Sequence, residues 1–149
     1  MKTNTFNKLM AIALLCVGAA FTPTAAKAAY TTQIKVISKP YSAAPGTRVQ
    51  VLVSLGYQDP KKGNAWVPLA GRRLGVDGAA RSSFVTNTIP IRDVVTNNGG
   101  LATITFTMPP RNRNQAGGEV GTVLDLSVTF RGEAPNLKAK TTSMHIVVQ

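Results

Sequence analysis

The stretch Leu101-Ala102-Thr103-Ile104-Thr105-Phe106-Thr107-Met108 decides the fold. Ala102, Ile104, Phe106 and Met108 fall on one face and Thr103, Thr105 and Thr107 on the other. A period of two marks a half-buried strand, because a helix repeats its faces only every ~3.6 residues. The threonines are stiff at χ1 and suit the wet face of a pleated surface. Working outward, the same period returns in Arg48 to Tyr57, where Val49, Val51, Val53, Leu55 and Tyr57 oppose Arg48, Gln50 and Ser54. It returns again in Val123 to Arg131, with Leu124, Leu126, Val128 and Phe130 inward and Asp125, Ser127, Thr129 and Arg131 outward. Met144, Ile146 and Val148 repeat it in a last strand, and Ile34 and Val36 in a shorter first one. Val67 to Val76 reads as a strand interrupted at Gly71, and Ser82 to Val95 as one or two more around Pro90.

Turn-forming residues separate these segments: Ala44-Pro45-Gly46, Lys62-Gly63-Asn64, Val76-Asp77-Gly78, Asn97-Asn98-Gly99-Gly100 and Gly117-Gly118. No segment sustains a helical period. About seven or eight short strands at even spacing predict an all-β, two-sheet Greek-key sandwich, with a closed barrel as the structural rival.

The amino terminus fixes the expected compartment. Lys2 and Lys8 precede an apolar run from Leu9 to Phe21, and Ala26-Lys27-Ala28 has the small-x-small pattern of a signal-peptide cleavage site. Residues 1–28 are therefore expected to be removed, leaving 29–149 as one exported domain, periplasmic or secreted. No later stretch approaches the ~20 apolar residues of a transmembrane helix. Cys16 is the only cysteine and leaves with the leader, so the mature chain has no disulfide, thiolate nucleophile or thiolate metal site. A lipoprotein signal wants a small residue before the cysteine, and Leu15 stands there. Of 17 Lys and Arg, loss of Lys2, Lys8 and Lys27 leaves 14 against 6 Asp and Glu, a net charge of +8. Such a charge favours anionic partners by long-range attraction.

Several motifs carry a family resemblance. Val94-Val95-Thr96-Asn97-Asn98-Gly99-Gly100-Leu101-Ala102-Thr103-Ile104-Thr105-Phe106 resembles a strand of bacterial immunoglobulin-like domains, the Big-type family. Leu126 to Asn136, with Met144 to Val148, is similar to that family's closing hairpin, and Val67-Pro68-Leu69-Ala70-Gly71 to the entry of its third strand. The resemblance spans most of residues 32–149. Pro109 to Gly118 and Gly78 to Asn97 depart from the family pattern. It implies an immunoglobulin-like sandwich acting as a stalk module, a glycan or protein binder, or a spacer. It transfers no catalytic residue, because the family shares none.

The inventory for catalysis is thin. His145 is the sole histidine, and strand alternation sends it to solvent, opposite Met144, Ile146 and Val148. Asp59, Asp77, Asp93, Glu119, Asp125 and Glu133 form no local cluster, and none lies in a calcium loop. Ser82-Ser83 lacks the flanking glycines of a nucleophile elbow. The reading is accordingly a non-enzyme with no catalytic residue, metal or cofactor.

Basic residues are the better candidates for function. The expected ligand-binding residues are Lys61 and Lys62 in the loop after the second strand, Trp66 beyond it, Arg72 and Arg73 on the third strand, and Arg111 and Arg113 in the Pro109 to Gly118 loop. Pro110 to Gln115 should be a flexible exposed tip, since it has no apolar area to bury. Trp66 either caps the core or offers its ring to a sugar or a partner. Strand parity decides whether these groups converge. If Ser82 to Val95 is one strand, the lysine loop and the arginine loop emerge at opposite ends; if Pro90 divides it into two full-length strands, they emerge together.

The expected role is a binding or structural module for an envelope or extracellular protein or an acidic glycan, acting through loops or an edge such as Ile34 to Ile37 between Lys35 and Lys39. The alternative is a salt-sensitive polyanion binder directed at acidic glycan or lipid A phosphate. Nucleic acid is not expected as the physiological ligand, for want of aromatic platforms near the arginines. Oligomeric state is left open.

Overall fold

Alternating strands bury one face each, so they must pair and stack, and the chain does so in two sheets with almost no helix. The computed structural model describes residues 30–133 and 136–149. The expected leader, residues 1–28, lies outside the described residues. The strands are β1 (Thr32–Ser38), β2 (Ser42–Ala43), β3 (Arg48–Asp59), β4 (Ala65–Pro68), β5 (Arg73–Arg81), β6 (Thr86–Ile89), β7 (Val94–Val95), β8 (Leu101–Thr107), β9 (Thr122–Phe130) and β10 (Lys140–Val148). Among the described residues the one helical element is a 3-10 turn, Pro60–Lys62.

The narrow sheet has β3 at its centre. β1 pairs antiparallel with residues 52–57 of β3, while β8 and β4 lie end to end along the opposite edge, against 48–54 and 56–59. Leu55 marks the handover, its N–H donating to Gly100 and its carbonyl accepting from Leu69. Gly100 must be glycine there: its φ is +71°, and a Cβ would stand 2.6 Å from the Leu55 carbonyl oxygen. The wide sheet runs β2-β10-β9-β5-β6, with β7 following β6 along β5. All pairings between these strands are antiparallel except β2 on β10. The first strand thus serves both sheets, passing from β3 to β10 through Lys39, Pro40 and Tyr41.

One expectation about strand runs is corrected, and one open alternative is decided. Val67 to Val76 is not one interrupted strand: β4 belongs to the narrow sheet and β5 to the wide one, and the chain crosses between them around Gly71, whose φ is +67°. Ser82 to Val95 is one broken strand rather than two. Gly78 pairs with Ile89 and Arg73 with Val95, a single antiparallel course along β5 whose break falls at Pro90, which has no N–H to give a ladder.

The core is the set that alternation selects. Val49, Val51, Val53, Leu55, Ala102, Ile104, Phe106 and Met108 of the narrow sheet face Leu74, Val76, Leu124, Leu126, Val128, Phe130, Met144, Ile146 and Val148 of the wide one. Val51, Val53, Leu55, Ile104, Leu124 and Leu126 are fully buried.

Candidate binding surfaces

β3 sets the two ends of the molecule. It runs from Arg48 at the lower end to Asp59 at the upper end, a span of about 35 Å at ~3.3 Å per residue. Because Ser82 to Val95 makes a single course, the lysine and arginine loops sit at these opposite ends. A gap of that size is several Debye lengths at physiological salt, ~8 Å each, so the two loops form no joint basic patch.

At the upper end, Asp59 is buried and caps the 3-10 turn, its Oδ1 accepting from the Lys61 N–H at 3.0 Å. Gly63 and Asn64 close the turn with φ of +64° and +62°. Lys61 and Lys62 project from this rigid tip into solvent, and among the described residues neither meets an acidic partner. Trp66 is half-buried. Its ring lies against the outer side of β3 at Gly56, where a Cβ would come within 2.5 Å of Cζ2, and the Lys35 ammonium sits 3.9 Å from the ring centroid. The ring is thus already engaged, on the outside of the narrow sheet rather than over the core.

Arg72 and Arg73 do not act as a pair. Arg72 precedes β5 and bonds Glu133 at 3.0 Å, while Arg73 opens β5 and its Nε donates to Asp93 Oδ2 at 2.8 Å. That bond, with the Val76 N–H on the other oxygen, holds the Asp93 carboxyl below its ordinary 3.8. Arg73, Asp93, Arg131 and Glu133 rim a depression of about 360 Å³ above Gly75, with charges of both signs.

The lower end differs most from expectation. Pro110 to Gln115 is not a flexible tip, because Asn112 is buried, with 5% of its surface exposed. Its amide nitrogen donates to the Ala80 carbonyl, Ser82 Oγ and the Val85 carbonyl at 3.1–3.3 Å, and its side-chain oxygen accepts from Asn87 at 2.9 Å. Its backbone N–H donates to Thr122 Oγ1 and its carbonyl accepts from Val120. The segment therefore folds back as a bridge between Arg113 and Glu119, closed by Asn114, and is fastened to the β5–β6 turn. Arg111 approaches Glu119 at 3.8 Å, and both Arg111 and Arg113 are exposed. Phe84, 67% exposed, caps the fastened turn. Neither Asn112 nor Phe84 is marked by sequence periodicity. The side-chain partners of Asn112 lie 25 to 32 residues away, which local spacing does not reveal.

The outer face of the wide sheet carries the one histidine. His145 Nδ1 meets Asp125 Oδ1, and Arg81 Nε donates to Asp125 Oδ2 at 3.0 Å, so both carboxylate oxygens are taken. Asp77, Ser127 and Ser143 form the next row across the strands, and the two rows share a depression of about 450 Å³. Among the described residues the imidazole's side-chain hydrogen bond is to Asp125, and none joins it to either serine.

No protein family model matches the chain, and no curated protein matches it. Among solved structures it is similar to a β-glucosidase from Listeria innocua, with 13% identity and a TM-score of 0.38 over 77% of this chain and 16% of that one. It is also similar to Pseudomonas fluorescens alkylpurine DNA glycosylase AlkC, bound to DNA containing an abasic site analog, with 15% identity and a TM-score of 0.36 over 77% of this chain and 30% of that one. The chain therefore spans less than a third of either structure.

Proposed function

We propose that the chain is an exported, non-enzymatic immunoglobulin-like module of the bacterial type, binding a protein or glycan of the cell envelope or the extracellular medium through rigid loops and a strand edge. The strand order supports the immunoglobulin-like reading: a first strand divided between the sheets, β1-β3-β8 on one side and β10-β9-β5-β6 on the other is the arrangement that a Greek-key sandwich of this kind produces. Five of the six carboxylates support a non-catalytic role, since Asp59 caps a turn and Asp93, Asp125, Glu119 and Glu133 each pair with an arginine.

The observation that carries the binding role is Asn112. A loop held by a buried side chain presents Arg111, Arg113 and Phe84 in a fixed arrangement, and preorganisation reduces the ordering cost of binding. The exposed Lys61 and Lys62, without acidic partners among the described residues, favour a second reading, a salt-sensitive polyanion binder.

Retention on immobilised acidic glycan and on envelope proteins across a salt gradient separates the two. Because the loops sit at opposite ends, Lys61→Ala with Lys62→Ala and Arg111→Ala with Arg113→Ala are made as separate variants. Salt-resistant capture of a defined protein, lost only in the arginine variant, is the outcome expected of the binding module. Salt-collapsing capture on glycan, lost in the lysine variant, assigns the chain to the polyanion reading. Retention by neither ligand refutes both.

A further inference from the structure

The two sheets are unequal, and the shortfall lies along one edge. The narrow sheet stops at β8, whereas the wide sheet continues past β5 to β6 and β7. Leu55 N–H donates to Gly100 and Met108 N–H to Thr47, so the even-numbered residues of β8 are the ones bonded to β3. In an antiparallel ladder the alternate residues point the other way, which turns the N–H and C=O groups of Thr103, Thr105 and Thr107 out of the sheet. Among the described residues β8 has no strand partner but β3.

The edges presented by β1, β2, β4 and the β6–β7 course are guarded. β1, expected as a possible addressable edge over Ile34 to Ile37, is bulged between Val36 and Ser38 and carries Lys35, with Lys39 just beyond. β2 has two residues, β4 has four and ends at Pro68, and the β6–β7 course breaks at Pro90. Bulges, lysines, prolines and shortness are the means by which edges refuse a further strand. β8 has none of them, being seven regular residues without charge or proline.

We propose that the β8 edge accepts an extended segment of a partner protein as a further, antiparallel strand of the narrow sheet. The inference rests on the binding-module reading and names its site and partner class. The added strand alternates apolar and polar residues. Its apolar side chains turn inward onto Ile89 and Ile91, which are half-buried at the open margin of the core, and its polar ones lie beside the threonine row. Its amino-terminal end is acidic, because it lies over Arg48, which pairs opposite Thr107, and near Arg113, which shares a depression with Ile89 and Pro109.

The probe is a synthetic peptide of about ten residues, two glutamates followed by alternating valine and threonine, titrated by fluorescence anisotropy against the purified protein with amide exchange followed by NMR. In the free protein, Thr103, Thr105 and Thr107 amides are expected to exchange freely while those of Ile104 and Phe106 are protected. Saturating peptide slows the three threonines at least tenfold. Thr105→Pro removes an N–H that bonds nothing within the sheet, so it abolishes binding while the melting temperature stays put. If that variant fails to fold, Thr103→Lys blocks the same edge without touching the backbone and decides the matter. A lysine-for-glutamate peptide binds several-fold more weakly at low salt. The proposal is overturned if no binding occurs, if the threonine amides are already protected, if both edge variants bind normally, or if protection grows with protein concentration alone, which assigns the edge to a second copy. Loss of the edge site with envelope capture intact sinks this inference and leaves the binding-module reading standing.

Discussion

Replacing Asn112 tests whether one buried amide holds the lower end together. An amide nitrogen has two hydrogens, so its three contacts, to Ala80, Ser82 and Val85, share two bonds' worth of donation. With the bond accepted from Asn87, alanine removes three bonds in all. At ~1 kcal/mol each, Asn112→Ala is expected to cost about 3 kcal/mol. Asn112→Asp keeps the shape but turns a carboxylate onto two carbonyl oxygens and a hydroxyl. It should therefore cost about 1–3 kcal/mol more than alanine, and the excess should shrink as acid protonates the carboxyl. Urea unfolding followed by Trp66 fluorescence, extrapolated to water, measures both. A cost under about 1 kcal/mol for alanine, or an aspartate variant no worse than alanine, refutes the argument that the amide is the fastener.

Three further outcomes follow from the packing and charge. Gly56→Ala drives a methyl into Trp66 and the Val67 carbonyl, so it should cost about 1–3 kcal/mol and shift tryptophan emission to the red. Leu126→Ala, at a fully buried site between the sheets, is expected to lose about 2–5 kcal/mol in the same urea assay. The Asp93 carboxyl is held low by Arg73, so the stability it confers is complete above its ordinary value of 3.8 and disappears as pH falls through its lower folded value. Asp93→Asn should therefore lower the urea midpoint near neutrality and converge with the unmodified protein in acid; a constant difference down to the acid limit contradicts the pairing.

The core was legible because a period of two leaves little choice: Val49 to Leu55, Ala102 to Met108, Leu124 to Phe130 and Met144 to Val148 all turn inward as alternation requires. Less legible was which sheet each strand joins. Gly71 looks like a flaw inside a strand, yet its positive φ turns the chain from one sheet to the other, and Pro90 looks like a divider yet merely breaks one course. Both residues mark a break in pairing, but local chemistry does not state where the chain resumes. The candidate site was legible only as charge. Arg111 and Arg113 are exposed as composition implies, but the loop between them is fixed by Asn112, whose partners come from β5, β6 and the turn joining them. Trp66 does not cap the core, because Gly56 opens a place for it on the outer face that residue types alone do not reveal.

The passage of the first strand from β3 to β10 has a mechanical consequence. β2 lies parallel to β10, and Val147 and Gln149 N–H groups donate to Tyr41 and Ala43 across that pair. Tension drawing the amino-terminal side of β2 and the carboxy-terminal side of β10 in opposite directions runs along both strands, so it loads these bonds together in shear instead of peeling them one at a time. The β1 ladder on β3 is pulled lengthwise by the same force. A module anchored at one end and loaded at the other would yield abruptly, at a threshold set by two short seams, and remain close to full length until it did.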